Sequence, residues 1–302
     1  LTDLISTLPN DTVTLALNTR TQTLNVVCGG ANTDIKGIDA QEFPPMPVPD
    51  LEEGIDLNVT NFKEMIQQVV FAASDDDARP VLQGVMMTVS GSEVTMAATD
   101  GFRISVRRAA LTSPAARPMS AIIPARALAE LARIASDGEE SLAMVIPPGR
   151  GQVLFHMRDA ELVSQLIEGN FPDYKVIIPR TFKTRTIIST PLLRNACRQA
   201  EIIARESNNV VRMEIQPRGD MPGLVTIKAT SDEKGKSEVQ VDATIEGPAL
   251  VIAFNVKYLR EVLEVVRTPN VALETNAHNT PGLIRQVGEE AFQHVIMPMH
   301  LT

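Results

Sequence analysis

The sequence predicts an α+β protein built from tandem copies of one fold, each copy carrying two helices on one face of antiparallel sheet. Three observations lead there. Three segments end alike: Glu42-Phe43-Pro44-Pro45-Met46-Pro47, Asn170-Phe171-Pro172-Asp173-Tyr174 running to Ile178-Pro179, and Phe292 running to Met297-Pro298, with Phe43, Phe171 and Phe292 spaced 128 and 121 residues apart. Upstream of the second and third endings, amphipathic helices recur in the same order. Between the helices lie short alternating strands joined by turn-forming residues. A period above a hundred residues exceeds any solenoid unit and fits tandem domains, here expected at 1–47, 52–179 and 180–302.

The first element is a helix end at 4–8, closed by Pro9-Asn10-Asp11 and followed by a strand at 12–17. That order matches the close of a copy's second helix, so the chain is expected to open inside a shortened first copy. Starting at Leu1 without an initiator Met, it reads as a processed or truncated product. The second copy has a helix at 61–73 and strands at 84–89 and 93–98 around Ser90-Gly91-Ser92. Thr99-Asp100-Gly101 fits a tight turn in which Gly101 takes positive φ. The stretch 113–118, with Pro114 and Pro118, reads as a loop, and a helix at 124–135 runs through Ser136-Asp137-Gly138 into a strand at 141–146. Phe171-Pro172-Asp173-Tyr174 is a turn, Pro presetting φ and Asp capping it. The third copy repeats the plan: helix 191–207, strands 210–216 and 224–230 around Arg218-Gly219-Asp220, helix 255–267, then Thr268-Pro269-Asn270 and a strand at 271–275. Each complete copy thus holds two helices and about eight strands. The tail from His294 to Thr302 is apolar where termini are usually polar and frayed. Two readings stay open for it: a docked segment whose Met297 and Met299 offer an adaptable surface, or a final strand closing a core.

Composition narrows the function classes. No run approaches the eighteen apolar residues of a membrane span, and Cys28 and Cys197 have no metal or disulfide spacing, which suits a reducing compartment. The net charge is −9, but it is unevenly spread. The four helices carry nine bases (Lys63, Arg126, Arg133, Arg194, Arg198, Arg205, Lys257, Arg260, Arg267) and six acids (Glu64, Glu130, Glu201, Glu206, Glu261, Glu264), which leaves −12 for the remainder. At about 100° per residue, Arg194, Arg198 and Arg205 share one helix face, away from Leu193, Cys197, Ala200 and Ala204. The same division separates Arg126, Glu130 and Arg133 from Leu128, Leu131, Ala132 and Ala135, and Lys257, Glu261 and Glu264 from Leu259, Val262, Leu263 and Val266. A charged outer face belongs to any surface helix, yet this segregation is also what a nucleic-acid surface on an acidic protein requires. Catalytic chemistry is missing: there is no nucleotide-binding Gly loop, nucleophile elbow or metal-ligand spacing. Asp75-Asp76-Asp77 splay as consecutive side chains and read as a solvated loop, and His156, His278, His294 and His300 lie far apart. No cofactor, metal or catalytic residue is expected.

Taken in order, Arg79-Pro80-Val81-Leu82-Gln83-Gly84-Val85, Ala98-Thr99-Asp100-Gly101-Phe102-Arg103-Ile104, Leu166 to Tyr174, Phe254-Asn255-Val256-Lys257-Tyr258-Leu259 and Val295-Ile296-Met297-Pro298-Met299 resemble the motifs of the bacterial DNA sliding clamp, the beta subunit of DNA polymerase III. The motifs cover two of that family's three domains, and the opening stretch to about Pro47 is similar to the close of its first. The resemblance implies a non-catalytic processivity factor: a head-to-tail homodimeric ring in the full-length form, with helices lining a hole around duplex DNA and sheets outside. It implies sequence-independent DNA contact, with Arg79, Arg126, Arg133, Arg194, Arg198, Arg205, Lys257 and Arg260 facing DNA. It also implies one peptide pocket for the polymerase III alpha subunit, the clamp loader and other proteins with a clamp-binding motif. Residue by residue, that pocket falls on Leu82, Thr99, Gly101, Phe102, Arg103, Ile104, Pro172, Ile177, Val295, Met297, Pro298, Met299, His300 and Leu301, with Arg103 at its rim. Phe102 stands where the family has His or Tyr, and His300 where Arg is common. Ile202 and Ile203, with Ile35 as partner, fall on the implied ring interface. A cytoplasmic, nucleoid-associated location follows, without membrane contact. Two other readings compete: a non-ring adaptor that keeps the peptide pocket, and an enzyme of nucleotide or phosphate metabolism, which would need a convergent acidic or Gly-rich site.

Overall fold

Turn residues set between alternating apolar positions produce the same kind of meander three times. The computed structural model describes residues 1–43, 54–136, 138 and 141–300, and the chain divides into two compact units, Leu1–Val48 and Pro49–Thr302. Residues 44–47 of the first repeated ending, Asp137 of a predicted turn, and Leu301 with Thr302 lie outside the described residues. In the first unit, helix α1 (Thr2–Thr7) leads into strands β1 (Val13–Asn18), β2 (Thr23–Cys28) and β3 (Ala31–Lys36), paired antiparallel in that order.

The second unit contains two copies of one element order. The first runs β4 (Ile55–Asn58), α2 (Val59–Val69), β5 (Gly84–Ser90), β6 (Glu93–Thr99), β7 (Arg103–Ala110), β8 (Met119–Pro124), α3 (Ala125–Ile134), β9 (Ser141–Val145), β10 (Gln152–His156) and β11 (Glu161–Gln165). The second runs β12 (Thr184–Ser189), α4 (Thr190–Ala204), β13 (Val210–Arg218), β14 (Met221–Ser231), β15 (Gly235–Glu246), β16 (Leu250–Asn255), α5 (Val256–Val265), β17 (Asn270–Thr275), β18 (Gly282–Gln286) and β19 (Phe292–Ile296). Each copy therefore has the two helices and eight strands that the sequence predicts. Helix starts follow local chemistry: the Asn58 and Asn255 side chains accept the Asn61 and Lys257 N–H groups, and Pro191 occupies the first turn of α4, where no N–H is needed.

Each pair of helices covers one face of its sheet. Phe62, Met65 and Ile66 of α2 and Leu128 and Leu131 of α3 bury against Val85, Met87 and Met96, each fully buried side chain contributing about 1.5–3 kcal/mol. After Leu193 the inward apolar residues of α4 are small, Ala196, Cys197, Ala200 and Ala204, so this part of the helix can approach its sheet closely. Burial pushes the Cys197 thiol up to about 12, which leaves it an inert packing residue.

The two copies share one sheet. Twelve strands run in the order β16-β13-β14-β15-β12-β17-β18-β19-β7-β6-β5-β8, while β11-β10-β9-β4 form a separate four-stranded sheet. The join is β19 against β7, from Phe292↔Arg107 to Ile296↔Arg103. The tail resolves into both sequence readings at once. Phe292–Ile296 is a core strand, with His294, Val295 and Ile296 at 0–1 % exposure, whereas Met297 is 37 % exposed.

Inside this join His294 is fully buried, its Nδ1 2.6 Å from the Ser105 Oγ and its ring stacked 5.3 Å from Phe71. Burial, and then the positive charge of Arg103, hold its pKa well below the ordinary value, so the folded chain keeps it neutral. The unfolded chain takes up the proton as pH falls through about 6.5. Its effect on stability is therefore absent above that pH and grows more unfavourable below it, by up to about 1.4 kcal/mol per pH unit. Unfolding free energy should fall from pH 7 to 5.5, and His294→Phe should flatten that slope. A slope unchanged in the variant would reject the assignment.

Candidate functional site

A capped turn organises the predicted pocket residues. The Thr99 hydroxyl donates to the Arg103 carbonyl at 2.7 Å and accepts from the Gly101 N–H at 3.0 Å. One Asp100 carboxylate oxygen accepts the N–H groups of Phe102 and Arg103 at 2.8 and 3.0 Å. Gly101, at φ +95°, takes the positive-φ position that such a reversal demands. The turn delivers Phe102 to the surface, 57 % exposed, with its carbonyl accepting the Met297 N–H at 2.9 Å. Two residues on, the Met299 N–H bonds the Ala253 carbonyl at 2.8 Å on the other copy. Pro298 between them has no N–H to satisfy, so the tail is fastened to both copies without an orphan donor.

Around this turn the predicted residues gather by different means. Ile104 and Val295 face each other across the ladder and share a small apolar cluster with Ala97, Val106, Tyr174 and Leu283. Tyr174 anchors the segment that contains Pro172 and Ile177; the Ile177 N–H bonds the Tyr174 carbonyl, and the Asp173 side chain accepts from the Lys175 N–H. Leu82 is buried in a single 3-10 turn, Pro80–Gln83. Phe102, Ile177 and Met297 remain exposed apolar side chains, the kind of surface a peptide covers. Met299 and His300 also border a cleft of 760 Å³ with Asn208, Arg212, Lys228 and Ala253; the other predicted pocket residues do not line it. Leu301 lies outside the described residues.

One expectation needs correction. Arg103 is not a rim residue. It is 6 % exposed, its guanidinium 4.3 Å from the Tyr258 ring centroid and 5.3 Å from that of Phe71. It donates to Asp100 at 3.0 Å, to the Phe71 carbonyl at 2.7 Å, and to Glu261 of α5. A guanidinium with five donors suits such a crossing point, and here it pins one copy to the other. Arg79 stands immediately before the Pro80–Gln83 turn. Its side chain bonds the Asp76 carboxylate at 2.9 Å and the Asp100 carbonyl at 3.0 Å, which ties the Leu82 segment to the turn. Asp76, held below its usual range by the Ala78 N–H and Arg79, caps its own loop, and Asp77 accepts from Gln83. This acidic run is structural, as its splayed spacing implies.

The remaining bases do share exposed helix faces. Arg126 and Arg133 of α3, Arg198 of α4, Arg205 just past its end and Lys257 of α5 are exposed, while Arg194 and Arg260 are half-buried. Most are paired. Glu264 lies 2.6 Å from Arg198 and 3.8 Å from Arg194. Glu201 lies 3.8 Å from Arg205 and 2.9 Å from Arg260 Nε, the latter without the alignment of a hydrogen bond. Of the implied interface residues, Ile202 is 61 % exposed. Ile203 packs half-buried on its own core, and Ile35 is half-buried on β3. Among the described residues no group of acids, His or Cys could hold a metal ion, and no helix is long and apolar enough to cross a membrane.

Models of the central and the C-terminal domain of the DNA polymerase III beta subunit match residues 56–173 and 175–300. The chain belongs to the beta sliding clamp family. It is 31 % identical to the beta sliding clamp of Synechococcus elongatus over 304 residues, spanning 100 % of this chain and 80 % of that one. It is 33 % identical to that of Bacillus subtilis over 299 residues, 98 % of this chain and 77 % of the other. The crystal structure of the Bacillus subtilis DNA polymerase sliding clamp superposes with a TM-score of 0.86 at 32 % identity, covering 99 % of this chain and 78 % of that one. A Pseudomonas aeruginosa DNA polymerase sliding clamp with ligand gives 0.82 at 26 % identity, covering 99 % and 80 %.

Sequence reasoning missed the partners of Arg103. Asp100 stands three residues before it and Tyr258 sits in a quoted motif, but Glu261 and Phe71 are brought in by packing alone. Arg103→Ala should leave the largely buried Asp100 without its cation and Glu261 with only Lys257 and Arg260 near 4 Å, at about 3 kcal/mol. Arg79→Ala, losing an exposed pair, should cost clearly less. Urea unfolding of the two variants decides; equal losses would deny Arg103 its pinning role.

Proposed function

We propose that this chain acts as a DNA polymerase processivity factor, a non-catalytic sliding clamp that encircles duplex DNA and tethers replication proteins through a peptide pocket. The observation that carries this is the repeated arrangement of basic helix faces backed by antiparallel sheet, in a chain of the sliding clamp family. Arg126, Arg133, Arg194, Arg198, Arg205, Lys257 and Arg260 are the proposed phosphate-facing set, and contact without base readout suits a protein that moves along any sequence. Duplex DNA, the polymerase and the clamp loader are the partners in general. The polymerase III alpha subunit, membership of the holoenzyme and a cytoplasmic, nucleoid-associated location are our finer reading. We divide the chain at 1–47, 52–179 and 180–302.

Pseudosymmetry supports a head-to-tail ring. Within the chain, β19 of one copy joins the edge of β7 in the copy before it. The strand that corresponds to β19 in the first unit is β3, which pairs only with β2 among the described residues. The strand that corresponds to β7 in the last copy is β15, whose residues 236–241 pair only with β14 among the described residues. Joining β3 of one subunit to β15 of another would repeat the internal seam. Ile202 of α4 corresponds to Phe71 beyond α2, and Phe71 fills the internal seam against Arg103 and His294. An exposed Ile202 is then a seam residue that awaits its partner, with Ile203 behind it and Ile35 opposite.

For the pocket we propose Leu82, Ile104, Pro172, Ile177, Val295, Met297, Pro298 and Met299 as its apolar floor, with Thr99, Gly101 and Phe102 from the turn and His300 at its edge; Leu301 completes the proposed set. Arg103 holds this floor from beneath. Loss of a well-packed anchor contact costs about 2 kcal/mol. Met299→Ala, or removal of His300 to Thr302, should therefore weaken a polymerase-derived clamp-binding peptide at least about tenfold, with thermal melts unchanged. Unchanged affinity in both variants would move the pocket elsewhere.

The ring itself is tested by topology. The full-length dimer, loaded by its clamp loader on nicked circular DNA, should stay on the circle and slide off after linearisation. Equal retention on both forms would reject encirclement and favour an adaptor.

A further inference from the structure

The helix faces proposed to meet DNA carry their own competitors for phosphate. Glu264 of α5 reaches across to α4 and sits between two bases, 3.8 Å from Arg194 and 2.6 Å from Arg198. Glu201 of α4 does the same in the opposite direction, between Arg205 at 3.8 Å and Arg260 at 2.9 Å. Glu261 lies 3.9 Å from Lys257 and 4.0 Å from Arg260. On α3, Glu130 takes two hydrogen bonds from Arg133, at 2.9 and 2.5 Å, and that contact holds its carboxyl below the usual range. Of the seven helix bases in the proposed set, Arg126 alone has no carboxylate within 4 Å among the described residues.

These acids are arranged rather than scattered. The two bridging carboxylates come from opposite helices, and each is shared by two cations that cannot both be fully neutralised by it. Each base is therefore held in a defined orientation, keeps part of its charge, and has an internal partner to return to when a phosphate departs.

We propose that Glu264, with Glu201 and Glu130 in the same role, is a positioning residue that limits phosphate affinity and so keeps DNA contacts short-lived. Resting on the reading that this face meets DNA, the inference assigns the acids the task of preventing adhesion in a protein retained by topology. Each phosphate must displace a carboxylate, so fewer phosphates are neutralised at once than the number of bases suggests. Because the log of affinity falls with the log of salt by about 0.9 per neutralised phosphate, the acids also flatten the salt dependence.

The test is equilibrium binding of the chain to a fluorescent 30-base-pair duplex, titrated across salt, for wild type and single variants. Glu264→Gln should tighten binding about two- to fivefold, the size of an exposed ion pair, and steepen the salt slope by about 1. Glu130→Gln, which leaves the α4–α5 contact untouched, should act in the same direction. Glu93→Gln, an equal change of charge at an exposed strand end, should do neither; tightening there as large as in Glu264→Gln would reduce the effect to net charge and overturn the proposal. Arg198→Gln separates the inference from the reading beneath it. If Arg198→Gln weakens binding while Glu264→Gln and Glu130→Gln leave it unchanged, the face meets DNA but the acids do not attenuate contact. If none of the four variants changes binding, the face does not meet DNA, and both fall.

Discussion

Five register pairs between β7 and β19, from Phe292↔Arg107 to Ile296↔Arg103, carry hydrogen bonding from one copy into the next. Strand pairing fixes the register, because a slip of one residue would turn His294 toward the Ile104 cluster and Val295 toward Phe71. Around that ladder the seam is unusually polar for a buried join. Arg103 meets Asp100 and Glu261, Arg107 meets Glu64 and Glu289, and Gln68 donates to the Val265 carbonyl. Such contacts add little net stability over apolar packing, but breaking one leaves a costly buried charge. Their effect is to permit one arrangement of the copies. The capped turn at Asp100 and the Met297–Met299 tail both hang on this seam, so the candidate pocket inherits its geometry.

The same polar economy appears on the helix faces, for a different reason. Bases that served only to hold DNA would gain from being left free, yet those of α4 and α5 are interleaved with acids. The interhelical pairs also align α4 beside α5, so one set of side chains serves packing and presentation together. An exposed pair contributes little to stability, which makes its influence on an approaching phosphate the larger consequence. The charge segregation in the sequence is real in three dimensions, although its net value is smaller than a count of arginines implies.

Much of the fold could be read directly from residue order. The helices at 61–73, 124–135, 191–207 and 255–267 are found within a few residues, because their apolar stripes, Asn58 and Asn255 caps and Pro191 act locally. The loop at 113–118 and the Gly101 turn follow from equally local chemistry. Burial of Arg103 was not legible. An Arg in a surface turn is ordinarily solvated, and the Tyr258, Glu261 and Phe71 groups that enclose it come from distant segments. The Arg79 contact to the Asp100 carbonyl, twenty-one residues away, was hidden for a similar reason. The tail admitted two readings because three buried residues and a half-exposed Met-Pro-Met share one apolar stretch.

Sequence alone determined the repeat, the helix and strand types, the absence of catalytic motifs and the family to which the motifs point, since each depends on spacing along the chain. Which edge of which strand joins the next copy, which arginines face solvent and which lock a seam, and which carboxylate stands between two cations depended on tertiary packing. Those outcomes arise where side chains from separate segments meet, and their energies are set by burial and distance, quantities that a linear pattern does not contain.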